Sequence, residues 1–304
     1  MIVVVCPGQG SQTPGFLKPW LPFLGGELAE LSDAAGFDLV EAGTVSDADT
    51  IRDTAIAQPL LVAAGLLTLN LLLADGRREK IAGIAGHSVG EITAAAGAGV
   101  LTTHEAVRFV RERGLAMQSA AALEPTGMSA VLGGDEAELL ARLQELGLEP
   151  ANFNGGGQIV VAGAMNALAE LAANPPTRSR VIALSVAGAF HTRYMRPAVD
   201  RLSTVAATLT AADPTVPLWT NRDGSRVTDG TRFVELLVGQ VSSSVRWDRC
   251  MQSFGEAGVT GIIEVAPAGA LVGLAKRALK GIPSVAIKTP DDLPAAFAML
   301  DAEN

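Results

Sequence analysis

The chain has 304 residues and a formal net charge of −9, with 48% hydrophobic and 18% charged side chains. That balance belongs to a folded globular protein and excludes disorder; the acidic total argues against a general nucleic-acid binder, which needs a basic face. The length is about twice that of an average domain, so one large core carrying a smaller insert fits as well as two equal domains.

In chain order, residues 2–6 are a short β-branched run, read as a buried strand. Met1 leads straight into it with no basic segment of a secretory leader. A Gly/Pro-rich loop follows, beginning Pro7-Gly8-Gln9-Gly10-Ser11-Gln12. Residues 59–74 read as a core helix. Their apolar stretch, 60–74, is interrupted by Asn70 and is shorter than the roughly 20 residues of a membrane span, so no membrane association is expected. Residues 81–85 are a second buried strand. They run into Gly86-His87-Ser88-Val89-Gly90-Glu91, and a small-residue helix extends to Ala98. Thr102 and Glu105 form a capping box that opens a helix through Arg108, Arg111 and Arg113 towards Ala122. Glu124-Pro125-Thr126-Gly127 ends it.

From Met128 the rhythm changes. Strands are predicted over 128–132, 151–154, 159–162 and 181–186, and helices over 136–146 and 166–173. The order βαββαβ predicts a ferredoxin-like unit, an insert over 125–186 within an α/β core made of 1–124 and 187–304. Beyond it, helices are expected over 193–208, 232–241, 245–256 and 269–279, with strands over 216–220, 262–265 and 285–287. Cys6 and Cys250 have no disulfide or metal spacing and read as buried thiols of a reduced, cytoplasmic protein.

Gly86 to Gly90 is a G-x-S-x-G sequence between a predicted strand and a predicted helix, the context of a nucleophile elbow. Glycines let the backbone turn sharply and expose the Ser88 hydroxyl, while the following helix aims its free N–H groups at the same point. A serine nucleophile needs a base, and the chain holds three histidines. His87 neighbours the serine, but adjacent side chains diverge. His104 sits in the capping box, where a solvated role is expected. His191, in Gly188-Ala189-Phe190-His191-Thr192, lies on a loop between an insert strand and a core helix and is the best base by elimination. No acid between Ser88 and His191 stands out as a third member, which leaves a backbone carbonyl to orient the imidazole. An N–H of the Gly8–Gly10 loop, with that of Val89, would form an oxyanion hole. Arg113, taken alone, reads as a solvated arginine.

Together, Pro-Gly-Gln-Gly-Ser-Gln at 7–12, Gly-His-Ser-Val-Gly-Glu at 86–91, Arg-Glu-Arg-Gly at 111–114, Gly-Ala-Phe-His-Thr at 188–192, Val-Gly-Gln-Val at 238–241 and the run 264–277 occur in one order. The chain thereby resembles the malonyl-CoA:acyl carrier protein transacylases, and also polyketide acyltransferase domains, over about residues 1–290. The resemblance implies an α/β-hydrolase-like core with a ferredoxin-like insert. It implies Ser88 as nucleophile, His191 as base, Gln9 and Val89 as oxyanion donors and Arg113 as the grip on the malonyl carboxylate. Gln240 is implied as the residue whose carbonyl receives the histidine N–H. Phe190 before the histidine and an aliphatic Val89 after the serine favour malonyl over methylmalonyl, and Asn154 joins Arg113 and Phe190 as substrate-binding. Ser242-Ser243-Ser244 departs from the Asn-Pro-Val of relatives close to Gln240. The implied partners are malonyl-CoA and a holo acyl carrier protein, with no metal or redox cofactor, no nucleic acid and a monomeric state. Lys276, Arg277 and Lys280 offer either a basic landing site for an acidic carrier or a solvated helix face. A serine thioesterase or hydrolase, a transacylase subunit of a malonate decarboxylase and a non-enzymatic docking module remain alternatives.

Overall fold

The computed structural model describes residues 1–302. Eleven strands form two sheets. They are β1 (Ile2–Cys6), β2 (Ile81–Gly86), β3 (Thr126–Gly133), β4 (Glu149–Gly155), β5 (Gln158–Ala164), β6 (Ser179–Leu184), β7 (Leu218–Trp219), β8 (Arg226–Val227), β9 (Val245–Arg246), β10 (Gly261–Glu264) and β11 (Ser284–Ala286). Among the described residues twelve α-helices surround them: α1 (Leu21–Ala35), α2 (Leu39–Thr44), α3 (Thr54–Leu72), α4 (Gly90–Gly97), α5 (Thr103–Ala121), α6 (Glu136–Leu146), α7 (Met165–Ala173), α8 (Arg196–Ala206), α9 (Gly230–Gln240), α10 (Trp247–Glu256), α11 (Ala270–Ala278) and α12 (Leu293–Asp301).

The first sheet has the order β11-β10-β1-β2-β7-β8 and is parallel except for the β7–β8 pair. Helices cover such a sheet on both faces, so its inner strands are apolar without alternation; every residue of β1 is buried. The second sheet runs β6-β3-β5-β4-β9. Its first four strands are antiparallel neighbours built from one continuous segment, the strand order of a ferredoxin-like unit. The fifth, β9, comes from the C-terminal part of the chain and pairs in parallel with β4, Asn152 opposite Val245. The second sheet therefore draws on more chain than 125–186, and residues 245–246, expected to open a helix, are strand.

The helices differ from expectation in two respects. The core helix is α3, which begins at Thr54, five residues before Pro59, with Asp53 accepting from the Ala55 N–H as its cap. Its 19 residues are long and apolar enough to cross a membrane by length and composition, and 78% of that apolar window is buried inside the fold. A helix apolar on every side suits the centre of a large core as well as a bilayer. Helices α1, α2 and α12 were not anticipated; α1 and α12 bury Leu24, Leu28, Ala296 and Leu300 against the same core.

Candidate active site

The site lies at the carboxyl ends of β1 and β2, the edge at which open parallel sheets place their ligands. The two strands are in register up to Cys6 and Gly86, so the loops that leave them start side by side. The β2 loop is a tight elbow. Ser88 has φ +53°, an uncommon conformation for a residue with a side chain. A Cβ on Gly86 would lie 2.0 Å from the carbonyl carbon of Gly90, and one on Gly90 would lie 2.2 Å from the carbonyl oxygen of Cys6. Both glycines of the motif are thus required by backbone crossing, independent of chemistry.

His191 reaches the elbow from the loop after β6, also with positive φ, +62°. Its Nε2 is 2.7 Å from Ser88 Oγ, and its Nδ1 is 2.9 Å from the Gln240 carbonyl oxygen. A carbonyl only accepts, so Nδ1 carries the proton and donates to Gln240. Nε2 is then the acceptor for the serine O–H. Burial, with the nearby positive charge of Arg113, pushes the imidazole down to about 3. The ring is therefore neutral at physiological pH, the form that can remove a proton.

Arg113, expected on the surface when taken alone, is 1% exposed. On α5 the buried positions include Ala106, Phe109, Val110, Arg113, Met117 and Ala120, so the arginine stands in the helix's apolar stripe. Arg108 is exposed and Arg111 half-buried. Gly114 lets α5 approach the start of α3, since a Cβ there would sit 2.9 Å from the Thr54 carbonyl oxygen. The guanidinium donates to Gln58 Oε1 at 2.6 Å and Gln240 Oε1 at 2.8 Å, and lies 3.4 Å from Ser88 Oγ. Its partners are neutral oxygens. Burial holds it below the usual arginine range, partly offset by the charge of Glu91.

The other expected residues fall as follows. Gln9 and Val89 both line the cleft beside Ser88, and among the described residues neither backbone N–H is taken by a protein acceptor. The Gln9 side chain turns away to the Arg52 carbonyl. Phe190 is buried in the cleft wall. Asn154 also lines the cleft, but its amide is committed to His87 Nε2 at 2.9 Å and Gln158 Oε1 at 3.0 Å. His104 is exposed at its cap, and both halves of the Thr102–Glu105 capping box are present. Cys6 and Cys250 are buried, with their thiols pushed up by burial.

The cleft has a volume of about 630 Å³ and is walled by both sheets, with Met128, Ala130 and Val160 on one side and α11 on another. Glu264, buried at the end of β10, accepts the N–H groups of Gly269, Leu271 and Val272 and so fixes the start of α11. Arg277 of that helix lines the cleft, while Lys276 and Lys280 are exposed outside its lining. Among the described residues, no group of three or more His, Cys, Asp or Glu side chains is placed to hold a metal ion.

Three buried polar residues were missed by sequence reasoning: Gln58, Glu91 and Asn221. Asn221 Oδ1 accepts the Ser88 N–H at 2.7 Å and its Nδ2 donates to the Gly86 carbonyl at 2.7 Å, clamping the elbow. Glu91 stands in the elbow motif itself, where its position inside a buried helix was the available signal. Gln58 and Asn221 carry no spacing that marks them.

The arrangement is a serine hydroxyl bonded to a neutral, oriented imidazole, beside two free N–H groups and a buried cation. The acyl transferase domain profile matches residues 26–290. The chain is 51% identical over 299 residues to the malonyl CoA-acyl carrier protein transacylase of Mycobacterium tuberculosis, covering 96% of this chain and 98% of that one. The chain belongs to the malonyl-CoA:acyl carrier protein transacylase family. The crystal structure of the M. tuberculosis member superposes with a TM-score of 0.94 at 49% identity, over 97% of this chain and 99% of that one. A transacylase solved in complex with its holo type II polyketide acyl-carrier protein superposes with a TM-score of 0.92 at 29% identity, covering 98% of this chain and 99% of that one. The family's α/β fold with two sheets is the fold described above.

Proposed function

We propose that this chain moves a malonyl group from malonyl-CoA to the phosphopantetheine thiol of an acyl carrier protein, through an ester on Ser88. The observation that carries the reading is Arg113. A desolvated guanidinium supported only by amide oxygens, 3.4 Å from the serine hydroxyl, is matched to an acyl group that ends in a carboxylate. An ester hydrolase has no use for such a group.

The steps follow from the geometry. Malonyl-CoA enters the cleft with its free carboxylate on Arg113, held by charge-assisted hydrogen bonds. Each is worth roughly 1.5–3 kcal/mol, or about tenfold or more in preference over an uncharged acyl group. His191 Nε2 takes the Ser88 proton as Oγ attacks the thioester carbonyl. The N–H groups of Gln9 and Val89 receive the developing oxyanion, and the Gln240 carbonyl stabilises the imidazolium that forms. Collapse releases CoA as the thiol, protonated by His191. The carrier's thiol then enters the same cleft, His191 takes its proton, and the reverse sequence moves malonyl from Oγ to sulfur. Phe190 fills the cleft wall beside the acyl group, and Asn154 shapes it through His87.

Transfer of radiolabelled malonyl to a holo carrier protein tests the proposal. Label should reach the carrier with this chain and fail to do so with Ser88→Ala. Label appearing only as free malonate would favour hydrolysis instead.

A further inference from the structure

Glu91 is 1% exposed and touches neither Ser88 Oγ nor the cleft, yet the hydrogen bonds around the serine converge on it. Its Oε1 accepts the Asn221 backbone N–H and its Oε2 accepts from Gln240 Nε2. Gln240 Nε2 also donates to the Ser88 carbonyl at 3.1 Å. With both its N–H directions used on Glu91 and Ser88, the Gln240 amide must present its oxygen to Arg113, 2.8 Å away. An amide is nearly symmetric in shape, so the orientation is set by its neighbours, not by packing. On the side away from Arg113 those neighbours are Glu91 and the Ser88 carbonyl, and of the two only Glu91 is a charged acceptor. Burial pushes the Glu91 carboxyl up, while the donors from Asn221, Thr220 and Gln240 and the charge of Arg113 act the other way and favour the carboxylate that accepts on both sides.

We infer that Glu91 is a positioning residue that locks the Gln240 amide with its oxygen toward Arg113, and thereby sets how strongly the site prefers an acyl group bearing a carboxylate. The inference rests on the proposed role of Arg113 as the carboxylate's partner. Glu91→Gln shows why one atom matters. Glutamine offers one acceptor where glutamate offers two. The Asn221 N–H belongs to the backbone and cannot turn, so the new amide keeps its oxygen there and points its NH2 at Gln240. Gln240 then either meets that NH2 with its own or turns its oxygen against the Ser88 carbonyl, and both outcomes loosen its oxygen from the guanidinium. Arg113 is left with a weakened acceptor, while the Gln240 main-chain carbonyl still receives His191.

The test is the ratio of kcat/KM for malonyl-CoA to that for acetyl-CoA, which does not depend on how much enzyme is folded. Glu91→Gln should lower the ratio by about tenfold or more, the value of one charge-assisted hydrogen bond, mostly through a raised KM for malonyl-CoA. Gln240→Met, which removes the side-chain amide but keeps the main-chain carbonyl, should lower it similarly. In that background Glu91→Gln should add nothing. The idea is overturned if Glu91→Gln slows both substrates equally or changes neither. If that variant does not fold, an unchanged ratio in Gln240→Met overturns it. Arg113→Ala separates this from the parent reading: an unchanged ratio there refutes the carboxylate role itself, whereas a collapsed ratio beside an unaffected Glu91→Gln refutes only the positioning role.

Discussion

His191 is held between a hydroxyl that donates to it and a carbonyl that accepts from it, and that fixes both its tautomer and its charge. Because burial and Arg113 lower its pKa to about 3, protonation that would disable the base occurs only well below the usual histidine range near 6.5. The kcat/KM for malonyl transfer should therefore stay level from about pH 7 down to about pH 5. An acid loss centred near 6.5 would show that the imidazole is not desolvated in the working enzyme. At this scale the sequence was legible where chemistry has a motif or a short supply. Ser88 stood in its glycine frame, and His191 was one of three histidines. That a backbone carbonyl orients the imidazole was expected once no acid stood out, but which carbonyl was invisible to residue-type reasoning, since every residue offers the same group. Gln240 entered only through resemblance. Glu91 and Asn221 act by burial and by long-range bonds spanning 130 residues or more, which no local pattern records.

The elements show the same division. Strand–turn–helix order around the elbow, the capping box and the βαββαβ rhythm were readable because each is a local pattern. The periodicity of α5 was readable too, but the arginine in its stripe was set aside on residue type, when its position argued for burial. Helices α1 and α12 do bury residues at helical spacing, Leu24, Leu28, Leu31 and Ala35 in one and Leu293, Ala296 and Leu300 in the other, a signal the reading passed over, whereas α2 has six residues and the two-residue β8 and β9 exist through tertiary pairing. The elbow yields a stability prediction. Gly90→Ala drives a Cβ to 2.2 Å from the Cys6 carbonyl oxygen and 2.7 Å from that of Pro7, both backbone atoms that cannot step aside. It should cost about 3 kcal/mol, read as a large drop in the chemical denaturation midpoint. Gly26→Ala is the contrast: within α1 a Cβ there meets nothing within 4 Å, so it should be neutral or stabilise by up to about 1 kcal/mol. Equal effects at the two positions would contradict the close crossing. Thr102→Ala, which removes one half of the α5 cap, should cost about 1 kcal/mol in denaturation while leaving kcat unchanged. A large loss of activity would mean the cap also holds the site.

At the scale of the whole molecule, the site is assembled from loops after β1, β2 and β6 together with α5, α9 and α11, and the cleft exists because two sheets face it. The stretch from Gln240 to Arg246 joins them: its first residue orients His191 and its last two pair with β4. Ser244 Oγ ties the same stretch to the Pro150 carbonyl at 2.6 Å, so the serine run that departs from relatives still anchors the local backbone. On α11, Arg277 lines the cleft, while Lys276 on that helix and Lys280 just past its end are exposed. In a chain of net charge −9, an acidic carrier needs such a local exception to overall repulsion. Reversing both lysines to glutamate should raise the KM for holo carrier protein and leave that for malonyl-CoA alone; unchanged values for both would remove α11 from the docking surface. The central claim is the covalent ester, and intact-protein mass spectrometry after incubation with malonyl-CoA alone tests it most directly. The expected result is one added malonyl group per chain, mapped to the peptide containing Ser88, absent from Ser88→Ala and discharged by holo carrier protein. An adduct that persists in Ser88→Ala, or that never forms while transfer proceeds, would contradict the account.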